Sequence, residues 1–201
     1  MIFNLLDSMW PQTHTPTPTE LVLYNAGNEC SNVTGGWSTF APAWAGSAYT
    51  NLTESGGEPV YGTNPISGTG VKESGDLKIY FRNPDRSSQW VNTAFGTVSR
   101  VNLTGWNTLH VRATVSEHSV NPVVVSSYCV FGATQSKTPP TDGTHTPPGN
   151  YKNLAVGDNT LDISGLTGNQ YVYFGGELNT GAHGLDSARH VHIVVTKIWL
   201  T

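Results

Sequence analysis

The chain has 201 residues, a formal net charge of −4, and charged side chains at only 12% of positions. That balance leaves no basic patch, which argues against nucleic-acid binding, and six Trp, eight Tyr and six Phe argue against disorder. The length fits one domain, or one domain with an appendage, and is enough to bury a real core; low charge with much Thr, Ser, Asn, Gly and Tyr is the look of an all-β extracellular or virion surface.

Residues 1–10 read Met-Ile-Phe-Asn-Leu-Leu-Asp-Ser-Met-Trp, an apolar cap with Asp7 as its one charge. It has no basic leader like that of a signal peptide, and it has half the apolar length of a membrane span. On a helix, Ile2, Phe3, Leu6, Met9 and Trp10 gather on one side, with Leu5 completing the apolar set. Helices shorter than about 12–15 residues are marginal alone in water, so the cap must dock onto its own domain or a partner. Residues 11–19, with Pro11, Pro16 and Pro18, exclude a helix interior and favour a polyproline-like Thr/Pro spacer of about 28 Å. A stiff arm favours the partner.

From residue 20 to 201 the chain reads as short strands punctuated by Gly, Asn and Pro. An apolar run spans 21–24, and Leu77, Ile79 and Phe81 alternate with polar neighbours, with 90–98 expected beside them. The clearest strand sets Leu109, Val111, Ala113 and Val115 against His110, Arg112 and Thr114. Its expected partner is 122–131, apolar on both faces and therefore central. Strands over 154–163, 171–175 and 190–200 complete the set. In the last, Val191, Ile193 and Val195 are out of phase with Ile198 and Leu200, which predicts a bulge near Thr196. Eight to ten such strands give a jelly-roll-like two-sheet β-sandwich. Residues 134–150 form one long insertion, of the kind that is usually functional or mobile.

Two segments repeat one pattern, Asn32-Val33-Thr34-Gly35-Gly36-Trp37 and Asn102-Leu103-Thr104-Gly105-Trp106, an Asn/Thr/Gly turn launching a Trp-led strand. The sequons at Asn32, Asn51 and Asn102 are read as this turn chemistry. Cys30 and Cys129 form neither a CxxC nor a zinc pattern and could be one disulfide or two buried thiols.

No nucleophile elbow, H-E-x-x-H or P-loop occurs, and nothing implies a cofactor. Glu73 and Asp76 have the wrong parity for one strand face, Asp162 and Glu177 are isolated, and His190 with His192 reads as a solvent-facing pair. His145 and His183 lie in Gly/Thr loops without carboxylates at ligand spacing. The expectation is therefore no enzyme and no metal site. Sugar binding needs aromatic faces beside hydrogen-bonding side chains. Tyr171 and Tyr173 share one strand face opposite Val172 and Phe174 and are the expected platform, with Trp37, Trp44 and Trp90 as further candidates. Trp106 and Trp199, in strong strands, are expected in the core.

The stretch Asn28-Glu29-Cys30 through Trp37, then Lys72-Glu73-Ser74, Leu103-Thr104-Gly105-Trp106-Asn107-Thr108-Leu109 and the closing Ile198-Trp199-Leu200 carries a resemblance. Over residues 20–201 the chain resembles C-terminal β-sandwich domains of bacteriophage minor tail, baseplate and head-fibre proteins, which are similar in layout to carbohydrate-binding modules. The resemblance implies a jelly-roll-like sandwich on a virion that attaches to the host surface, with glycan as the expected target and a homo-oligomer such as a trimer as the expected assembly; the apolar cap, read from its own residues, adds the expectation that residues 1–10 dock into a capsid or tail component. It carries over no catalytic or sugar-contacting residue. A decoration protein that binds no sugar, or a small glycoside hydrolase, are the alternatives.

Overall fold

The structure is a computed structural model and describes residues 19–26, 32–39, 52–55, 58–61, 69–73, 76–82, 90–118, 127–137, 147–179 and 190–201. The apolar cap and most of the spacer, residues 1–18, lie outside the described residues, as does Cys30.

In chain order the strands are β1 (Leu21–Asn25), β2 (Trp37–Thr39), β3 (Leu52–Ser55), β4 (Glu58–Tyr61), β5 (Thr69–Glu73), β6 (Asp76–Arg82) and β7 (Trp90–Thr97). They continue with β8 (Val101–Asn102), β9 (Thr108–His118), β10 (Ser127–Thr134), β11 (Asn150–Asn153), β12 (Gly157–Asp162), β13 (Asn169–Asn179) and β14 (His190–Leu200). The described residues are all-β, and none of them forms a helix long and apolar enough to cross a membrane.

Two antiparallel sheets face each other. The first runs β12-β9-β14-β6-β5, with β1 beside the second half of β14; the second runs β11-β10-β13-β7-β2, with β8 beside the start of β13. The strands β6, β7, β9, β10, β11, β12, β13 and β14, taken as first to eighth, form sheets ordered 1-8-3-6 and 2-7-4-5. That is the jelly-roll order. It also separates strands that are neighbours in sequence. β7 is not beside β6 but in the opposite sheet, and β10 is not beside β9 but between β11 and β13. β10 is central, as its apolar faces require, with Cys129, Val130 and Phe131 all buried.

The core lies between the sheets. Leu109, Val111, Ile193, Val195, Ile198 and Leu200 from the first sheet meet Phe131, Val172 and Phe174 from the second, and every one of these is fully inaccessible. The bulge expected near Thr196 is present: pairing of β14 with β9 runs Val195↔Ala113 and then Lys197↔Arg112, leaving Thr196 unpaired. Its carbonyl accepts instead from the Ala26 amide at 2.8 Å. The bulge restores Ile198 and Leu200 to the core face, and at the same point β6 gives way to β1 as the flanking strand.

Repeated turns close the strands. In each, the carbonyl of a buried apolar residue accepts from an amide three residues on: Val33 from Gly36, Leu103 from Trp106, and Ile163 from Leu166. Asn102 Oδ1 accepts from the Thr104 amide at 3.0 Å and Asp162 Oδ1 from Ser164 at 2.9 Å, the Asx-turn arrangement. Gly105 sits at φ +87°, a left-handed conformation that glycine adopts without strain. The third copy, Asp162-Ile163-Ser164-Gly165, was not legible as a repeat, because each of its first three residues is replaced by a chemical equivalent.

β11 and β12 are the outermost strands of the two sheets on one flank. Lys152 Nζ donates to the Thr160 carbonyl and Asn150 Nδ2 to that of Asp162, both at 3.0 Å. Asn159 pins the corner between the strands, accepting from the Ala155 amide and donating to the Ala155 carbonyl at 2.8 Å each.

Candidate functional site

A strip of side chains crosses the outer face of the first sheet over β12, β9, β14 and β1. The register dictates it: Arg112 lies between Asp158 and Lys197, while His110 lies between Thr160 and Trp199. Because Leu109 and Val111 turn inward, His110 and Arg112 must turn outward. The bulge does the same for Lys197 and Trp199.

At the centre, the His110 and Trp199 rings stack with centroids 4.8 Å apart and planes within 8° of parallel. His110 Nε2 is 2.8 Å from Thr201 Oγ1. Thr201 is itself held in place, since its amide donates to the Thr108 carbonyl and its own carbonyl accepts from the Asn107 and Thr108 amides. On one flank Arg112 grips Asp158 through the Nε–Nη2 edge of its guanidinium, Nε to Oδ1 at 2.6 Å and Nη2 to Oδ2 at 3.0 Å. On the other, Lys197 Nζ is 2.6 Å from Glu20 Oε1. Both cations lean on the indole, Lys197 Nζ at 4.5 Å and the Arg112 guanidinium carbon at 5.7 Å from its ring.

The electrostatics follow from these contacts. Partial burial holds the His110 imidazole below its ordinary pKa; Asp158 and Glu20 pull it back up, and Lys197 adds to the lowering. The hydrogen bonds from Arg112 hold the Asp158 carboxyl below the usual range. The strip is thus a half-exposed aromatic pair between two internally paired ionic groups, and its charges cancel. It can offer flat apolar surface together with carboxylate, guanidinium, ammonium and hydroxyl groups for hydrogen bonding.

The two tyrosines expected to form a platform do not both reach the surface. Tyr171 and Tyr173 do share the face of β13 turned away from the core, but Tyr173 is fully inaccessible and its hydroxyl donates to the Pro148 carbonyl at 2.8 Å. Its cross-strand partners, Gly96 and Gly132, are too small to shield it. The end of the 134–150 insertion, with Pro147 and Pro148 buried, comes over it instead. Tyr173 is therefore a buried anchor for that loop and not a sugar-stacking surface.

Tyr171 stays half-buried, with the Arg100 guanidinium carbon 5.2 Å and the Lys137 ammonium 4.7 Å from its ring centroid. Trp37 is also reassigned: its ring packs on Tyr24 and Phe174 at the core margin, and its Nε1 donates to the Leu23 carbonyl at 3.2 Å. The indole is turned inward because β1 and β2 flank the core there. Trp44 lies outside the described residues, as do the docking residues Ile2, Phe3, Leu5, Leu6, Met9 and Trp10. Trp90 opens β7 opposite Asn179, and its side chain is outside the described set.

Trp106 does pack against the core, whereas Trp199 does not. The signal that would have placed Trp199 outward was available: once Ile198 and Leu200 face in, the residue between them faces out. Of the carboxylates considered for catalysis, Asp162 is a turn former, bonded by Ser164 Oγ at 2.7 Å, and Glu73 and Asp76 are register partners where β5 meets β6.

Compared with known proteins, the chain matches no family model and no curated protein.

Proposed function

We propose that this jelly roll is a non-catalytic attachment module that binds uncharged pyranose units on the Trp199–His110 strip. One observation carries the reading: an aromatic pair stands half-exposed on an outer sheet face, flanked on both sides by hydrogen-bonding groups whose charges cancel. Pyranoses present an apolar face and a rim of hydroxyls, and pockets for such ligands combine apolar surface with a few fixed polar groups. Asp158 and Glu20 would accept from hydroxyls, while Arg112 and Thr201 would donate. Following the sequence resemblance, we further propose that the module sits on a phage virion as a homo-oligomer and reaches host-surface glycan, with residues 1–10 fastening it to a capsid or tail protein.

The test is saccharide binding by the full chain, on a glycan array and by titration of the hits. Binding that falls about tenfold or more in Trp199→Ala, in a variant that remains folded, supports the reading. Absence of binding to any neutral glycan, with normal incorporation into particles, would favour a purely structural decoration protein. Removing residues 1–19 should leave a folded domain that no longer joins the particle.

A further inference from the structure

We infer a second ligand site, on the opposite sheet, that takes the oxyanion of a charged sugar through Arg100, with Tyr171 and Lys137 as its frame. The inference goes beyond the reading of the Trp199 strip and stands without it.

The register builds this site. On one side of β13, Gln170 pairs with Val101 of β8, which brings the preceding residue, Arg100, against Tyr171. On the other side Tyr171 pairs with Thr134, the last residue of β10, and the chain continuing from there brings Lys137 to the same ring. Two cations from separate segments thus converge on one tyrosine. The Thr134 hydroxyl and Ser136 hold the second segment, the Ser136 amide lying 3.3 Å from Thr134 Oγ1. Lys137 Nζ is also fixed on the Val98 carbonyl at 3.3 Å.

Arg100 is the decisive group. It is exposed, and among the described residues it has no hydrogen-bonding or ionic partner; its contact is the tyrosine ring. A guanidinium is charged at every accessible pH and carries five donors in a planar fork that matches a carboxylate or phosphate. Contact with an aromatic ring orients that fork without consuming its donors, so less ordering is needed when an anion arrives. The contrast with the first sheet is direct: Arg112 turns its Nε–Nη2 edge to a carboxylate of the chain itself, Asp158, and keeps only its remaining N–H groups for a ligand.

The occupant is the phosphate or carboxylate of a sugar, the shared chemistry being an oxyanion on a hydroxylated ring. Glucose 6-phosphate, glucuronic acid and glucose, titrated against the full chain and followed through backbone amide shifts, separate the possibilities. One or both charged sugars should shift the amides of residues 98–101, 135–137 and 170–172, and which of them does so identifies phosphate or carboxylate. Glucose should leave those amides unchanged. Raising the salt should weaken the effect, as for any exposed charge pairing.

Arg100→Gln should cost about tenfold or more in affinity, the worth of hydrogen bonds to a charged group. Arg100→Lys should recover part of it, because an ammonium keeps the charge and loses the fork. Trp199→Ala should change nothing here, so failure of this site and failure of the first are told apart. Shifts of equal size with glucose, an Arg100→Gln variant that binds as well as the parent, or no shift with either charged sugar would overturn the assignment.

Discussion

Ile198 and Trp199 are consecutive in the chain and serve opposite faces of one sheet: Ile198 is inaccessible in the core, and Trp199 stacks on His110 outside it. The same residue types could have been exchanged without altering composition. What assigns them is the unpaired Thr196, which resets the alternation one residue earlier.

Substitutions at these two neighbours should therefore separate stability from binding. Ile198→Ala should destabilise the fold by about 2–5 kcal/mol, the usual cost of emptying a closed core position. Trp199→Ala should cost far less stability and should remove binding of neutral sugar. Urea unfolding beside saccharide titration measures both, and a large stability loss in the Trp199 variant would contradict its outward placement.

Acidification should weaken the fold through His110. Its pKa in the folded state lies below its ordinary value of 6.5, so between the two the unfolded chain holds more protons. The neutral imidazole's contribution is complete above pH 6.5 and is lost as the pH falls toward the lowered value. Replacing His110 by Gln should flatten that part of the stability profile relative to the parent. Asp158 acts in the same direction lower down: its stabilising pairing with Arg112 is present above its ordinary value of 3.8 and fades below it. A parent and His110→Gln variant with parallel profiles would refute the assignment.

The loop anchor on the second sheet makes a third test. Tyr173→Phe removes the donor to the buried Pro148 carbonyl and should cost about 1–3 kcal/mol. Gly149→Ala should be worse than an ordinary surface change. Gly149 adopts φ +74°, and an added Cβ would fall 2.2 Å from the Ala133 carbonyl oxygen, so the loop must move. At least about 1 kcal/mol comes from the backbone alone. Thermal melts of the two variants, with limited proteolysis of the 134–150 segment, check both points; parental stability in Gly149→Ala would show that the loop does not close onto β10.

Of the two Asx turns, Asp162 should be worth at least as much as Asn102, because its Oδ1 accepts from both the amide and the hydroxyl of Ser164. Asn102→Ala and Asp162→Ala each remove one local acceptor and should each cost about 0.5–1.5 kcal/mol. The Asp162 effect should shrink in acid, because the Ser164 hydrogen bonds hold its carboxyl below the usual range and so favour the ionised form over the protonated one. Chemical denaturation at neutral and acidic pH distinguishes the pair.

Much of this architecture is legible in the amino acids. The alternation over residues 109–115 gives a half-buried strand, the broken phase after Val195 gives the bulge, and the apolar run through Phe131 gives a central strand. Each of these is local. Sheet membership is not, because a jelly roll sends consecutive strands to opposite sheets, while adjacency in sequence invites pairing β6 with β7 and β9 with β10. The same limit governs the site. Parity put Tyr173 on the outward face, but its burial depends on a loop that returns from β10 and on two glycines in neighbouring strands. Arg100 and Lys137 are 37 residues apart and meet only through the register of β13.

The flank formed by β11 and β12 has a consequence for crowding. A sheet margin usually offers bare carbonyls to any passing strand, the first step in fibre growth. Here the Thr160 and Asp162 carbonyls already accept from Lys152 and Asn150, and an incoming segment would have to displace an ammonium and an amide to gain them. Copies packed shoulder to shoulder on that side can touch without their sheets merging.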